Sequence, residues 1–136
     1  MTQQLTLEVA APDRQVVNET TTEVQLPLTT GYKGVLPGHA PMMAEIGAGV
    51  LTYKSNEGYK YLALNGGVVE ILPDYVRVLA TTAEFAPEID AQRAMQALER
   101  ADERLQLADL EVDVERAQRA VARAKARLAA SKNHSA

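Results

Sequence analysis

The chain changes its rules near residue 88. All eight glycines lie between Gly31 and Gly67, and the last of the six prolines is Pro87. Beyond that point alanine, arginine and glutamate take over. Glycine and proline are the residues a helix interior tolerates least. The break therefore confines long helices to the tail and turn-rich structure to residues 1–87. A length of 136 residues allows one domain or two small ones.

The first segment reads as β-structure. "LTLEVA" (Leu5–Ala10) alternates apolar and polar residues, as a strand buried on one face does. Runs of the same kind follow in "RQVVN", "EVQLPL", "GVLTYKS", "YKYLALN", "GVVEIL" and "YVRVLA". Turn signals separate them at Pro12-Asp13, Asn56-Glu57-Gly58, Asn65-Gly66-Gly67 and Pro73-Asp74. Many short strands with no helical period between them predict an antiparallel β-sandwich or barrel.

The second segment, residues 88–136, reads as a two-helix hairpin. Ala91, Ala94, Leu98, Ala101, Leu105 and Ala108 step by 3 and 4 in turn. Val114, Ala117, Val121, Ala124, Leu128 and Ser131 repeat the pattern, so each helix carries a heptad seam. The link "DLEVD" is too short for anything but a tight connection. Alanine at most seam positions lets the backbones approach closely but buries little, at roughly 0.8 kcal/mol per methylene-sized group. Such a hairpin is marginal alone; it docks on the β segment or rearranges. The fold class is thus α+β in two segments, an N-terminal antiparallel β-sandwich followed by a C-terminal antiparallel helical hairpin.

The net charge of −4 conceals an asymmetry. Residues 116–136 carry six basic side chains and no acidic one, whereas residues 88–115 carry three basic against nine acidic. Asp109, Glu111, Asp113 and Glu115 open the second helix, and Arg123, Lys125, Arg127 and Lys132 lie toward its end. The helix dipole favours that arrangement. Within it Arg116, Arg119, Arg123 and Arg127 share one stripe, well away from the seam. The stripe is either a solvated face or a docking strip for an acidic surface or a phosphate-bearing ligand. Overall acidity argues against nucleic acid as a partner. The absence of cysteine excludes disulfides and thiolate metal sites and fits a reducing compartment. No apolar run approaches the ~20 residues of a membrane span, and the N-terminus lacks a signal-peptide pattern. A soluble protein, able to sit on a membrane-bound assembly, is expected.

Catalysis finds little support. The segment "GYKGVLPGHAP" (Gly31–Pro41) holds His39 among glycines and prolines, with no nucleophile beside it, and His134 lies in a polar tail. Two such histidines make neither a metal site nor a triad. Gly34–Gly38 lacks the Lys-Ser/Thr ending of a phosphate-binding loop and precedes no helix. The segment reads as a rigid element in which His39 packs or makes a contact.

"GVLPGHAPM", followed by "LALNGGVVEI", "VRVLATTAE" and "IDAQRAMQAL", resembles the epsilon-subunit family of the F-type ATP synthase over essentially the whole chain. The resemblance implies a non-catalytic subunit that needs no cofactor. Its sandwich would bind the gamma subunit and the membrane c-ring at the foot of the central stalk and help couple proton-driven rotation to ATP synthesis. Its hairpin would permit turnover when folded on the sandwich and brake ATP hydrolysis when extended toward the catalytic alpha and beta subunits. The location implied is peripheral, on the cytoplasmic face of a bacterial energy-transducing membrane or its stromal or matrix equivalent.

Site residues follow from the same resemblance. In some bacterial members the folded hairpin binds ATP as a regulatory ligand through Ile/Leu-Asp-x-x-Arg-Ala, which Ile89, Asp90, Arg93 and Ala94 match. Glu84, Arg100, Arg123 and Arg127 fall on the remaining positions of that set. Asp90 is equally a helix N-cap. Arg116, Arg119, Arg123 and Arg127 are expected to make the inhibitory contact, and Tyr32, Lys33 and His39 the rotor contact. Tyr32-Lys33 stands where related bacterial subunits often carry acidic residues. Read from the residues alone, a stand-alone nucleotide-sensing module and a helical-hairpin adaptor remain rivals; co-purification with synthase subunits separates them.

Overall fold

A computed structural model of the chain describes residues 3–89, 91–107 and 114–134. Eight strands come first: β1 Leu5–Ala11, β2 Arg14–Thr21, β3 Val24–Leu28, β4 Gly31–Val35, β5 Met42–Glu45, β6 Ala48–Ser55, β7 Gly58–Leu72 and β8 Tyr75–Phe85. A 3-10 turn at Ala86–Glu88 leads to helices α1 (Ala91–Leu107) and α2 (Val114–His134). Alternation dictates the strands directly. In β1, Leu5, Leu7 and Val9 are fully buried while Thr6, Glu8 and Ala10 are half-exposed.

The strands pair in the order β2-β1-β8-β7-β6-β3-β4, with β5 on the far part of β7. The 15-residue β7 is what makes two layers of this path. Its first half pairs β6, from Ser55↔Gly58 to Ala48↔Asn65, and its second half pairs β5, from Glu45↔Val68 to Met42↔Ile71. The strand bends between the two. β1 and β2 thereby return over β6, where Thr21 Oγ1 donates to the Lys54 carbonyl at 2.7 Å and accepts the Glu23 amide. The buried Tyr53 hydroxyl of β6 donates to Glu19 Oε2 of β2 at 2.5 Å. Burial first, then Glu19, pushes that hydroxyl well above the ordinary tyrosine range. Leucines, valines and isoleucines from both layers fill the space between, giving one core.

Three features differ from the sequence expectation. Asn65-Gly66-Gly67 is not a turn between two strands but a corner inside one strand. Pairing with β8 skips Gly66 without a shift of register, from Asn65↔Thr82 to Gly67↔Ala80. Gly66 and Gly67 take φ of 71° and 125°. The corner's backbone groups bond instead to the segment before β6, Ile46 N to Gly67 O at 2.9 Å and Gly66 N to Gly47 O at 3.1 Å. Second, Gly31–Val35 forms β4 and Met42–Glu45 forms β5, neither of which shows enough alternation to be read in advance. Third, β1 and β8 run parallel within an otherwise antiparallel set. They lie at opposite ends of the β segment, so no hairpin dictates their direction.

The two helices form, α1 packing against α2 and α2 lying on β6, β7 and the 3-10 turn, but the first member of each seam, Ala91 and Val114, is exposed. Ala94, Ala101, Ala117 and Ala124 are buried in the seam, and Leu98, Leu105, Val121 and Leu128 are half-buried. Ala126 and Ala130 are buried as well. They belong to a second face of α2, which the single-seam reading omits. Glu115 lies in the first turn of α2; Asp109, Glu111 and Asp113 fall outside the described residues.

A Cβ on Gly67 would sit 2.1 Å from the Leu79 carbonyl oxygen and 2.8 Å from Ala80 Cα, on a backbone whose φ already resists side chains. Gly67→Ala should lose more than about 3 kcal/mol in urea unfolding. Gly34→Ala, whose Cβ meets nothing within 4 Å, should stay within about 1 kcal/mol.

Candidate functional site

The hairpin meets the sandwich on a small pad. Val50 of β6, Ala63 of β7 and Ile89 after the 3-10 turn cluster with Ala130 of α2, and Tyr61 packs alongside. α2 contributes an alanine here, where it lies on β6 and β7. With one methyl group from α2, the helix adds little apolar area to this cluster.

Beside the pad lies a cleft of about 250 Å³, lined by Asn65, Thr82 and Glu84 on the sheet side and by Ala97, Arg123 and Arg127 on the helix side. Ala63, Leu64, Ala120 and Ala124 supply apolar wall. Thr82 and Glu84 share a face of β8 because they are two residues apart. Arg127 Nη2 donates to Glu84 Oε2 at 3.3 Å, while Nε sits 3.1 Å from Oε1. The second contact is a charge–charge approach, since Nε is buried with no acceptor along its N–H. Both side chains are about two-thirds covered, at 28 % and 32 % exposure.

The residues expected to take a nucleotide are therefore divided. Glu84, Arg123 and Arg127 converge on the cleft. Arg93 and Arg100 line a separate open concavity along α1 with Gln92 and Gln96. Ile89 is spent on the pad, and Ala94 is fully buried in the helix seam. Asp90 lies outside the described residues. Small-molecule sites usually need ~300–1,000 Å³, so the first cleft has room for part of a nucleotide rather than all of it. Asn65 and Thr82 were not among the expected site residues. The β8 face shared by Thr82 and Glu84 carried the signal.

The arginine stripe is not uniformly solvated. Its C-terminal members face the sheet, Arg127 against Glu84 and Arg123 at the cleft. Nearer the start of α2, Arg119 is exposed and comes within 4.0 Å of Glu115 one turn back. Arg116 is exposed at the same end.

Among the residues expected to touch the rotor, Tyr32 has a structural task. Pro27 in β3 has no N–H and interrupts pairing with β6, which is confined to Val24↔Tyr53 and Gln25↔Thr52. Tyr32 reaches over it from β4, and its hydroxyl accepts the Val50 amide at 3.0 Å. Gly49 is required beneath, since a Cβ there would stand 2.6 Å from Pro27 Cβ and 2.8 Å from the Tyr32 oxygen. The Tyr32 ring remains 57 % exposed. Lys33 is half-exposed on β4. His39 lies in the turn that follows, where its amide bonds to Leu36 O at 3.2 Å and Nδ1 donates to Ala40 O at 2.7 Å. Gly38, with φ of 88°, ties this turn to Pro73 O at 2.7 Å. The backbone thus holds His39 as a half-exposed turn residue.

Residues 4–86 match the family model described as ATP synthase, Delta/Epsilon chain, beta-sandwich domain, and residues 88–132 the one for the long alpha-helix domain of the same chain. The ATP synthase epsilon chain of Solibacter usitatus is 54% identical over 97 residues, 71% of this chain and 72% of that one. Its counterpart from Koribacter versatilis is 44% identical over 104 residues, 76% of this chain and 73% of that one. Among solved structures, a chain of the Euglena gracilis mitochondrial ATP synthase superposes with a TM-score of 0.82 at 23% identity, covering 95% of this chain and 81% of that one. A chain of the Tetrahymena thermophila mitochondrial ATP synthase central stalk gives 0.57 at 10% identity, covering 99% and 98%. These two show the shared fold.

Tyr32→Phe removes the acceptor for the Val50 amide while keeping the ring. It should cost about 1–2 kcal/mol in thermal or urea unfolding, whereas Lys33→Ala should be near neutral.

Proposed function

The chain belongs to the ATP synthase delta/epsilon-chain family as an epsilon-type, non-catalytic subunit, and from that membership we propose that its two segments divide the work of coupling and control. The sandwich, with its own complete core, is the rotor-binding part. It contacts the gamma subunit and the c-ring, with Tyr32, Lys33 and His39 on the strand and turn turned toward the rotor. On this reading the subunit sits peripherally, at the cytoplasmic face of a bacterial membrane or its organellar equivalent. Among the described residues no helix is long and apolar enough to cross a membrane.

The hairpin is the regulatory part. One observation carries this reading: α2 rests on the sheet through a small pad to which it contributes Ala130, beside a charged cleft, while the sandwich core is built without it. A switch needs two states within a few kcal/mol of each other, and an alanine contact keeps them close. When extended, α2 presents Arg116, Arg119, Arg123 and Arg127 to acidic surface on the catalytic subunits and brakes hydrolysis. When folded, Arg123 at the cleft, with Arg93 and Arg100 on α1, offers guanidinium to the phosphates of ATP while Arg127 stays on Glu84.

Replacing Arg116, Arg119 and Arg123 with alanine, and leaving Arg127 on Glu84, should relieve inhibition of ATP hydrolysis in the reconstituted complex. Unchanged inhibition would remove the stripe from the brake. Calorimetric titration of ATP into the purified subunit should release heat that Arg93→Ala abolishes; no heat at about millimolar ATP, where a Kd of 1 mM corresponds to −4.1 kcal/mol, ends the nucleotide reading.

A further inference from the structure

We infer that the Glu84–Arg127 pair is the latch that holds α2 on the sheet, and that it does so by withholding one arginine from the inhibitory stripe. This rests on the reading of the hairpin as mobile and adds what governs its release.

The apolar part of the contact is poorly suited to holding the helix alone. Ala130 is the α2 residue that clusters with Val50, Ala63 and Ile89, and one methyl group buries little apolar area. The Glu84–Arg127 contact runs beside this pad and joins residues 43 apart. Glu84 is the penultimate residue of β8, one residue short of the 3-10 turn from which the hairpin departs. A bond there ties the far half of α2 back across its own exit point, where separation of helix from sheet must break it.

The surroundings give the pair its strength. Walls of Ala63, Leu64, Ala97, Ala120 and Ala124 reduce screening, and both partners are largely covered. By contrast, Arg119 and Glu115 are mostly exposed, 4.0 Å apart and on the same helix, so their pair cannot hold α2 to anything. Without the Glu84 charge, the buried Nε of Arg127 would remain among alanines with no counter-ion, a condition relieved by lifting the helix. Arg127 is also the last member of the stripe. An acidic surface that recruits the stripe must therefore take Arg127 from Glu84, so release and recruitment are one exchange of carboxylates on a guanidinium.

The chain has no cysteine, so spin labels at Asn18→Cys on β2 and Gln118→Cys on α2, both exposed positions, report docking in the full-length subunit by pulsed electron resonance. Glu84→Gln should raise the undocked share about tenfold, and Arg127→Gln should do the same. High salt should raise it in the parent protein but barely in either variant. Exchanging the charges, Glu84→Arg with Arg127→Glu, should restore docking, with thermal unfolding of the sandwich unchanged throughout. Equal undocked shares and equal salt responses in the parent and both single variants would overturn the latch while leaving a mobile hairpin intact. A helix that never leaves the sheet in any of them would overturn both.

Discussion

The corner at Gly66-Gly67 is the constraint on which the rest of the structure depends. The backbone of β8 presses so closely on Gly67 that no side chain fits, and this lets one strand serve two layers. The first half of β7 contributes Ala63 to the hairpin pad and Leu64 and Asn65 to the cleft. The second half carries β5 and completes the opposite layer. If the corner were an ordinary turn, β7 would be two strands. The relation between the helix-bearing layer and the β1-β2 layer would then lose its covalent guide.

The hairpin obeys a different balance. A residue with one methyl group allows two helices and a sheet to approach closely, but leaves each contact weak. α2 uses alanine on two faces, Ala117 and Ala124 toward α1 and Ala130 toward the sheet. The partly covered Glu84–Arg127 pair is the kind of contact that responds to ionic strength and to competing carboxylates. Strong apolar packing would bind the helix more tightly to the sheet; a small pad with an ion pair beside it is the arrangement from which a movable hairpin is proposed.

Much of the architecture was legible in the chain, because alternation and heptads are local properties. Leu5, Leu7 and Val9 announce β1, and Ala94, Ala101, Ala117 and Ala124 announce the helix seam. β4 and β5 were not legible, since Gly31–Val35 and Met42–Glu45 owe their extended form to the neighbours they pair with. The Asn65-Gly66-Gly67 signal reads as a turn between strands although it is a corner within one, because glycine marks unusual φ without saying whether the chain reverses or bends. The site shows the same division. The spacing of Arg116, Arg119, Arg123 and Arg127 predicts a stripe, but not that its last member turns into a cleft. Tyr32 was expected at a surface and is indeed exposed, yet its hydroxyl also accepts the Val50 amide, beyond the point where β3 stops pairing with β6. That role arises from three strands together.

Separability of the two segments is the claim on which the functional reading stands. The most direct measurement removes residues 88–136 by ending the chain after Pro87 and reconstitutes the remainder into the complete ATP synthase, measuring proton-driven ATP synthesis and ATP hydrolysis on the same membranes. The account predicts that coupled synthesis survives while inhibition of hydrolysis is lost. Loss of coupling together with loss of inhibition would contradict it, because the sandwich would then depend on the hairpin for its place in the rotor.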